Sequence, residues 1–170
     1  MIRPAFVWMT LLILTGLVGG CYESEFPLDP VPQVQTDSRV MGSWRCVSPD
    51  ASDEAITLTV APSQVPRYAI TWQESGRPPD RFEGYASSLM GTTLVNVRDL
   101  NERVPPSTAN PWRFINYTLL QQNVLYIRVV HERLLKGSSQ SREAIRNTIE
   151  RERLNPALYE DLIACIRTRT

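Results

Sequence analysis

Apolar and polar residues alternate repeatedly between residues 56 and 131. That period of two demands strands that bury one face and wet the other. Ile56, Leu58 and Val60 alternate with Thr57 and Thr59, and Tyr68, Ile70 and Trp72 alternate with Arg67, Ala69, Thr71 and Gln73. Phe82 to Leu89 continues more weakly, while Thr92 to Leu100 sets Val95 and Val97 on one face with Leu94 opposite. Trp112 to Leu120 and Val124 to His131 follow, joined by Gln121-Gln122-Asn123 at hairpin spacing. Pro62 to Pro66, Gly76-Arg77-Pro78-Pro79-Asp80 and Gly91 punctuate the runs. Residues 101–111, with Pro105, Pro106, Asn110 and Pro111, form the longest loop. Counting Trp44 to Val47 as the first strand, about seven strands joined by short links predict a mainly antiparallel meander. It would roll into an open sheet or close into a barrel.

The pattern changes to helical at the C-terminal end. Ser141 to Leu154 sets Ile145 and Ile149 on one stripe among charges, and Asn155-Pro156 interrupts it. Asn155 can cap a second helix with Pro156 as its first residue. Leu158, Leu162, Cys165 and Ile166 would share the core face of that helix, so one or two C-terminal helices are expected. Arg142, Arg146, Arg151 and Arg153 alternate with Glu143, Glu150 and Glu152, which reads as a solvated face supported by local pairs.

The first residues belong to a different regime. Arg3 and the amino terminus supply positive charge, Ala5 to Val18 is uncharged and apolar, and Gly19 and Gly20 precede Cys21. The apolar run falls short of the roughly 20 residues of a bilayer-spanning helix, which makes a permanent span the weaker reading. Leu17-Val18-Gly19-Gly20-Cys21 resembles the lipobox of bacterial lipoproteins. The resemblance implies a signal peptide (residues 1–20) cut before Cys21, a diacylglyceryl thioether on its sulfur, and usually N-acylation. Several chains make physical sense, because a single one binds a membrane only marginally. The partner implied is therefore the membrane, through lipid on Cys21. Tyr22, where Asp would signal otherwise, implies the outer membrane facing the periplasm. The alternative is an ordinary signal peptide with a structural Cys21.

Residues 21–38 then read as the lipidated cysteine and a tether, with residues 39–170 a single β-rich domain. Pro27, Pro30 and Pro32 favour an extended path, which at about 3.1 Å per residue could reach roughly 50 Å. Phe26, Leu28 and Val31 could instead dock part of it on the domain. Export places the chain where disulfides persist. With Cys21 lipidated, Cys46 and Cys165 are the remaining pair, and a bridge between them is expected, the alternative being two buried thiols. A loop of that length would stabilise the fold by on the order of 4–5 kcal/mol in the chain-entropy model.

Gly42-Ser43-Trp44 at the first strand is similar to the Gly-x-Trp signature of the lipocalin family. The meander, the helix after the last hairpin and a cysteine tie to the C-terminal region extend the likeness. It implies a lipocalin-like barrel in which Gly42 and Trp44 close one end and an arginine stacks on the indole. Arg128, Arg133 and Arg167 are the candidates, and no motif chooses among them.

Charge and chemistry exclude more than they assign. Eighteen basic residues balance eighteen acidic ones, so there is no electrostatic footprint for nucleic acid. His131 is the one histidine and Glu132 its only acidic neighbour, which makes no metal ligand set, and no cofactor is expected. Nothing resembles a nucleophile elbow. The acidic pairs Asp53-Glu54 and Glu160-Asp161 sit where solvated carboxylates are ordinary. The chain is therefore expected not to be an enzyme. What remains is aromatic: Tyr68 with Trp72, and Trp112 with Phe114, stand on strand faces that could line a pocket for a small apolar ligand or simply fill a core. A membrane-anchored binding protein is the leading expectation. The alternative is a protein-interaction module, such as an inhibitor of an envelope-attacking enzyme or an assembly accessory, that uses the 101–111 loop and a sheet edge.

Overall fold

The computed structural model describes residues 24–48, 55–64, 66–101, 112–136, 141–160 and 162–168. Residues 1–20, expected to be a signal peptide, Cys21, Asp53-Glu54, Asp161 and nearly all of the 101–111 loop lie outside the described residues. Eight strands run in chain order: β1 (Gly42–Val47), β2 (Ile56–Pro62), β3 (Tyr68–Gln73), β4 (Asp80–Leu89), β5 (Thr92–Asp99), β6 (Trp112–Leu120), β7 (Val124–Val129) and β8 (Ile163–Arg167). Each pairs antiparallel with its neighbours in sequence, and β8 pairs back onto β1, so the meander is a closed barrel. An open rolled sheet is thereby excluded, and with it the free sheet edge an interaction module would have used.

The eighth strand replaces the expected second helix. After a 3-10 turn (Pro156–Leu158) capped by Asn155, the chain extends, and Ile163–Arg167 hydrogen-bonds to β7 on one side and β1 on the other. Leu158, Leu162, Cys165 and Ile166 fit a helical stripe equally well. Closure decides the matter, because without β8 both β1 and β7 would carry unpaired backbone groups. Cys165 consequently points inward from a strand, and Ile166 points out and is 65% exposed.

Strand parity separates two cores. Inside the barrel, Trp44, Cys46, Ile56, Leu58, Tyr68, Val95, Val97, Leu125, Ile127 and Cys165 are buried together. Outside, Leu89, Leu94 and Phe114 pack under Leu28, Ile145, Ile149 and Leu158. The outer core exists because α2 (Arg142–Glu152), capped by the Ser141 side chain, lays Ile145 and Ile149 on the barrel wall. A single turn, α1 (Glu132–Leu135), capped by His131, precedes it.

Part of the segment expected to be a tether docks on this outer core, through Phe26 and Leu28, while Val31 stays exposed. Ser24 pairs with Trp112 at the start of β6, and Leu28 is completely buried. The Leu28 N–H donates to the Asn96 side chain at 2.7 Å, and Asn96 in turn donates to the Tyr85 carbonyl and the Ser87 hydroxyl. Arg142 donates to the Pro27 carbonyl at 3.0 Å, and Arg146 meets Asp29 at 3.0 Å. Two of the arginines read as solvated thus clamp the segment. An apolar side chain that can be buried outweighs the extended preference of the prolines, at roughly 1.5–3 kcal/mol for a leucine.

Turn chemistry gives the barrel two unlike ends. At one end β4 turns into β5 through Met90 and Gly91, both at positive φ, as a two-residue hairpin requires. The 63–67 and 121–123 links and the 3-10 turn Ser38–Val40 share that end. The opposite end carries the longer connections, including the whole 130–162 segment.

Candidate functional site

The short-turn end is shut. The Trp44 side chain is fully buried, donating from Nε1 to the Val40 carbonyl at 2.9 Å, so the 3-10 turn forms a floor across the barrel. Arg167, directly across from Trp44 in the β1–β8 pairing, holds its guanidinium 4.1 Å from the centroid of the Trp44 rings. Its nitrogens donate to the carbonyls of Met41 (2.7 Å), Gln122 (2.9 Å) and Arg39. Gly42 sits at φ +131°, and a Cβ there would lie 2.6 Å from Arg167 Nη1. Of the three candidate arginines only Arg167 stacks on Trp44. Arg128 pairs with Asn116 on the outer parity of β7, and Arg133 lies on α1 at the other end.

A polar latch completes the floor. Tyr68 accepts from the Asp37 N–H at 2.6 Å, and the Tyr117 hydroxyl donates to the Asp37 carboxylate at 3.3 Å. Arg39, hydrogen-bonded to that carboxylate, holds Asp37 below the ordinary aspartate range. Burial pushes the Tyr68 and Tyr117 phenols up, so both stay protonated and neutral.

Two residues along the strands from the Trp44–Arg167 pair, Cys46 and Cys165 face each other across β1 and β8 and form a disulfide, with Cα atoms 3.9 Å apart. It ties the first strand to the last over 119 residues of sequence.

The lumen is hollow from the floor upward. A cavity of about 70 Å³ next to Val40, Tyr68 and Tyr117 is lined entirely by apolar residues and tyrosines. It shares Leu58, Ile70, Val97, Ile115 and Ile127 with a larger cavity of about 510 Å³ at the long-loop end. Trp72, Phe82 and Ile163 line the upper wall, and Glu74, Asp80, Arg113, Glu132 and Glu160 stand at the rim. Glu74 is engaged by Arg77 at 2.7 Å and by the Trp72 indole N–H, and Asp80 accepts from Asn101. An apolar interior with charges confined to the rim suits an apolar or amphiphilic molecule inserted lengthwise.

The four aromatics singled out from the strands do not make one wall. Tyr68 and Trp72 face the lumen. Phe114 is buried in the outer core, and Trp112 stacks edge-on against Tyr85 at 5.5 Å with Arg98 over its ring. Both border the large cavity where it reaches the start of β6 beside Ser24. Ile163 and Arg113 also line the cavity and were not among the residues the sequence pointed to. Ile163 was masked by the helical reading of its segment, although Ile163, Cys165 and Arg167 do alternate; Arg113 sat unnoticed between two aromatics. Among the described residues no group of three or more His, Cys, Asp or Glu side chains could hold a metal ion. His131 serves as a helix cap, accepting from the Arg133 N–H.

A comparison with protein-family models, with curated proteins and with solved structures returns no match to this chain.

Proposed function

We propose that this chain is a bacterial envelope lipoprotein of lipocalin type, held by lipid on Cys21 at the outer membrane. It binds a small apolar or amphiphilic molecule without chemical conversion. One observation carries the reading: an apolar lumen, shut by Trp44 and Arg167 at one end, opens at the other into a cavity of about 510 Å³. That volume lies within the roughly 300–1,000 Å³ of ligand pockets, and an eight-stranded barrel is the size that holds one small molecule. The Gly42-Ser43-Trp44 signature with an arginine over the indole supports the lipocalin assignment, and the bridge between Cys46 and Cys165 suits an exported chain.

Native mass spectrometry of the protein released from membranes should show an added small-molecule mass, or saturable uptake of a fluorescent fatty-acid probe. A barrel that takes up neither refutes the binding reading. Cys21→Ser should release the protein from the membrane fraction, and continued membrane retention refutes the anchor.

A further inference from the structure

We infer that the mouth of the barrel is held against the membrane surface, so that the cavity exchanges amphiphiles with the bilayer directly. This rests on the lipidation of Cys21 proposed above. Covalent geometry carries the step. Ser24 pairs with Trp112 at the open-end start of β6, and Ser24 itself lines the large cavity. Only three peptide steps join Cys21 to Ser24, at most about 11 Å of chain. The lipid on Cys21 enters at the bilayer interface, so the rim stands within about that distance of it. The floor formed by Trp44 and Arg167 lies a strand length away, roughly 20 Å for six residues.

The strap cannot lengthen without breaking several contacts at once. Leu28 would leave the outer core, Arg142 and Arg146 would lose Pro27 and Asp29, and the Tyr85 hydroxyl would lose the Asp29 carbonyl. Exposed apolar side chains do not distinguish the ends, since Val47 and Leu100 stand at the mouth and Met90 and Leu120 at the floor. The position of the anchor does. A mouth at the interface lets an acyl chain pass from bilayer to lumen with little of it crossing water, where every methylene is unfavourable.

Energy transfer from protein to membrane tests this on the intact lipoprotein in phosphatidylcholine vesicles carrying a headgroup-linked acceptor dye. Donors are placed by Ser75→Cys in the β3–β4 turn at the mouth and by Gln64→Cys in the β2–β3 link at the floor. With Cys46 and Cys165 bridged and Cys21 in thioether linkage, the introduced thiol is the one labelled. Transfer from position 75 should exceed that from position 64 about twofold or more, given the roughly 20 Å between the ends. A Gly/Ser spacer of about twelve residues between Tyr22 and Glu23, with a reach of about 19 Å, should level the two. Equal or reversed transfer without the spacer overturns the orientation while intact mass still finds lipid on Cys21. An intact mass without lipid overturns the anchor reading, and this inference with it.

Discussion

The Arg167 guanidinium stacks on Trp44 at 4.1 Å while its nitrogens donate to the backbone carbonyls of Met41, Gln122 and Arg39. One side chain from the last strand thus closes a floor built from the first strand, the 3-10 turn and the β6–β7 turn. Arg167→Ala removes the cation–π contact and three charge-assisted hydrogen bonds, and should lower stability by about 3 kcal/mol. Arg167→Lys should recover only part, since an ammonium cannot fork to three carbonyls. Urea midpoints for both variants check this.

Gly42 and Arg167 should behave as one unit. Gly42→Ala both forces a side chain into φ +131° and pushes a methyl into Nη1, at a cost of about 1–3 kcal/mol. Because that displacement already disrupts the arginine, the double variant with Arg167→Ala should cost less than the sum. Full additivity in a double-mutant cycle would show that the two act separately.

Reducing the Cys46–Cys165 bridge, or replacing both with Ser, should lower stability by on the order of 4–5 kcal/mol, because the bridge closes a loop nearly as long as the domain. Unfolding in urea with and without reductant measures it.

Ile127 lines both cavities, so Ile127→Trp should fill the lumen. Probe affinity should fall at least about tenfold, equivalent to 1.4 kcal/mol. Stability should drop by no more than about 1–3 kcal/mol of overpacking. Unchanged affinity in a folded variant would place the ligand elsewhere.

Alkaline pH should loosen the fold. Burial raises the phenols of Tyr68, Tyr117 and Tyr159 and pushes that of Tyr85 up to about 12, against an ordinary value of 10.0. A raised pKa means the folded state keeps protons that the unfolded chain releases, so this contribution is whole below about pH 10 and is lost as pH rises toward 12. The urea midpoint should fall across that window, and Tyr85→Phe should make the fall shallower. A flat profile contradicts the burial of these phenols.

The strand periodicity of residues 56–129 and the helix beginning at Ser141 were legible because period and capping are local properties. The pairing of Cys46 with Cys165 was legible too, by elimination once Cys21 was set aside. Arg167 stood only among three candidates, since stacking across a barrel leaves no local trace. The β8 segment was misread because its five residues carry both periods, and only closure between β1 and β7 selects one. For residues 24–31 both readings stood in the sequence, an extended path from the prolines and docking through Phe26, Leu28 and Val31, and the structure docks Phe26 and Leu28 while Val31 stays exposed.

The sequence by itself determined that the chain would alternate into a β-meander, and it named Cys46 and Cys165 as the bridging pair. Only the tertiary structure decided that the meander closes, which arginine seals it, which aromatics face the lumen, and that Ser24 stands at its mouth. The first set depends on neighbours in the chain. The second depends on residues separated by most of it, whose meeting is settled by burying two apolar faces and leaving no strand edge unpaired.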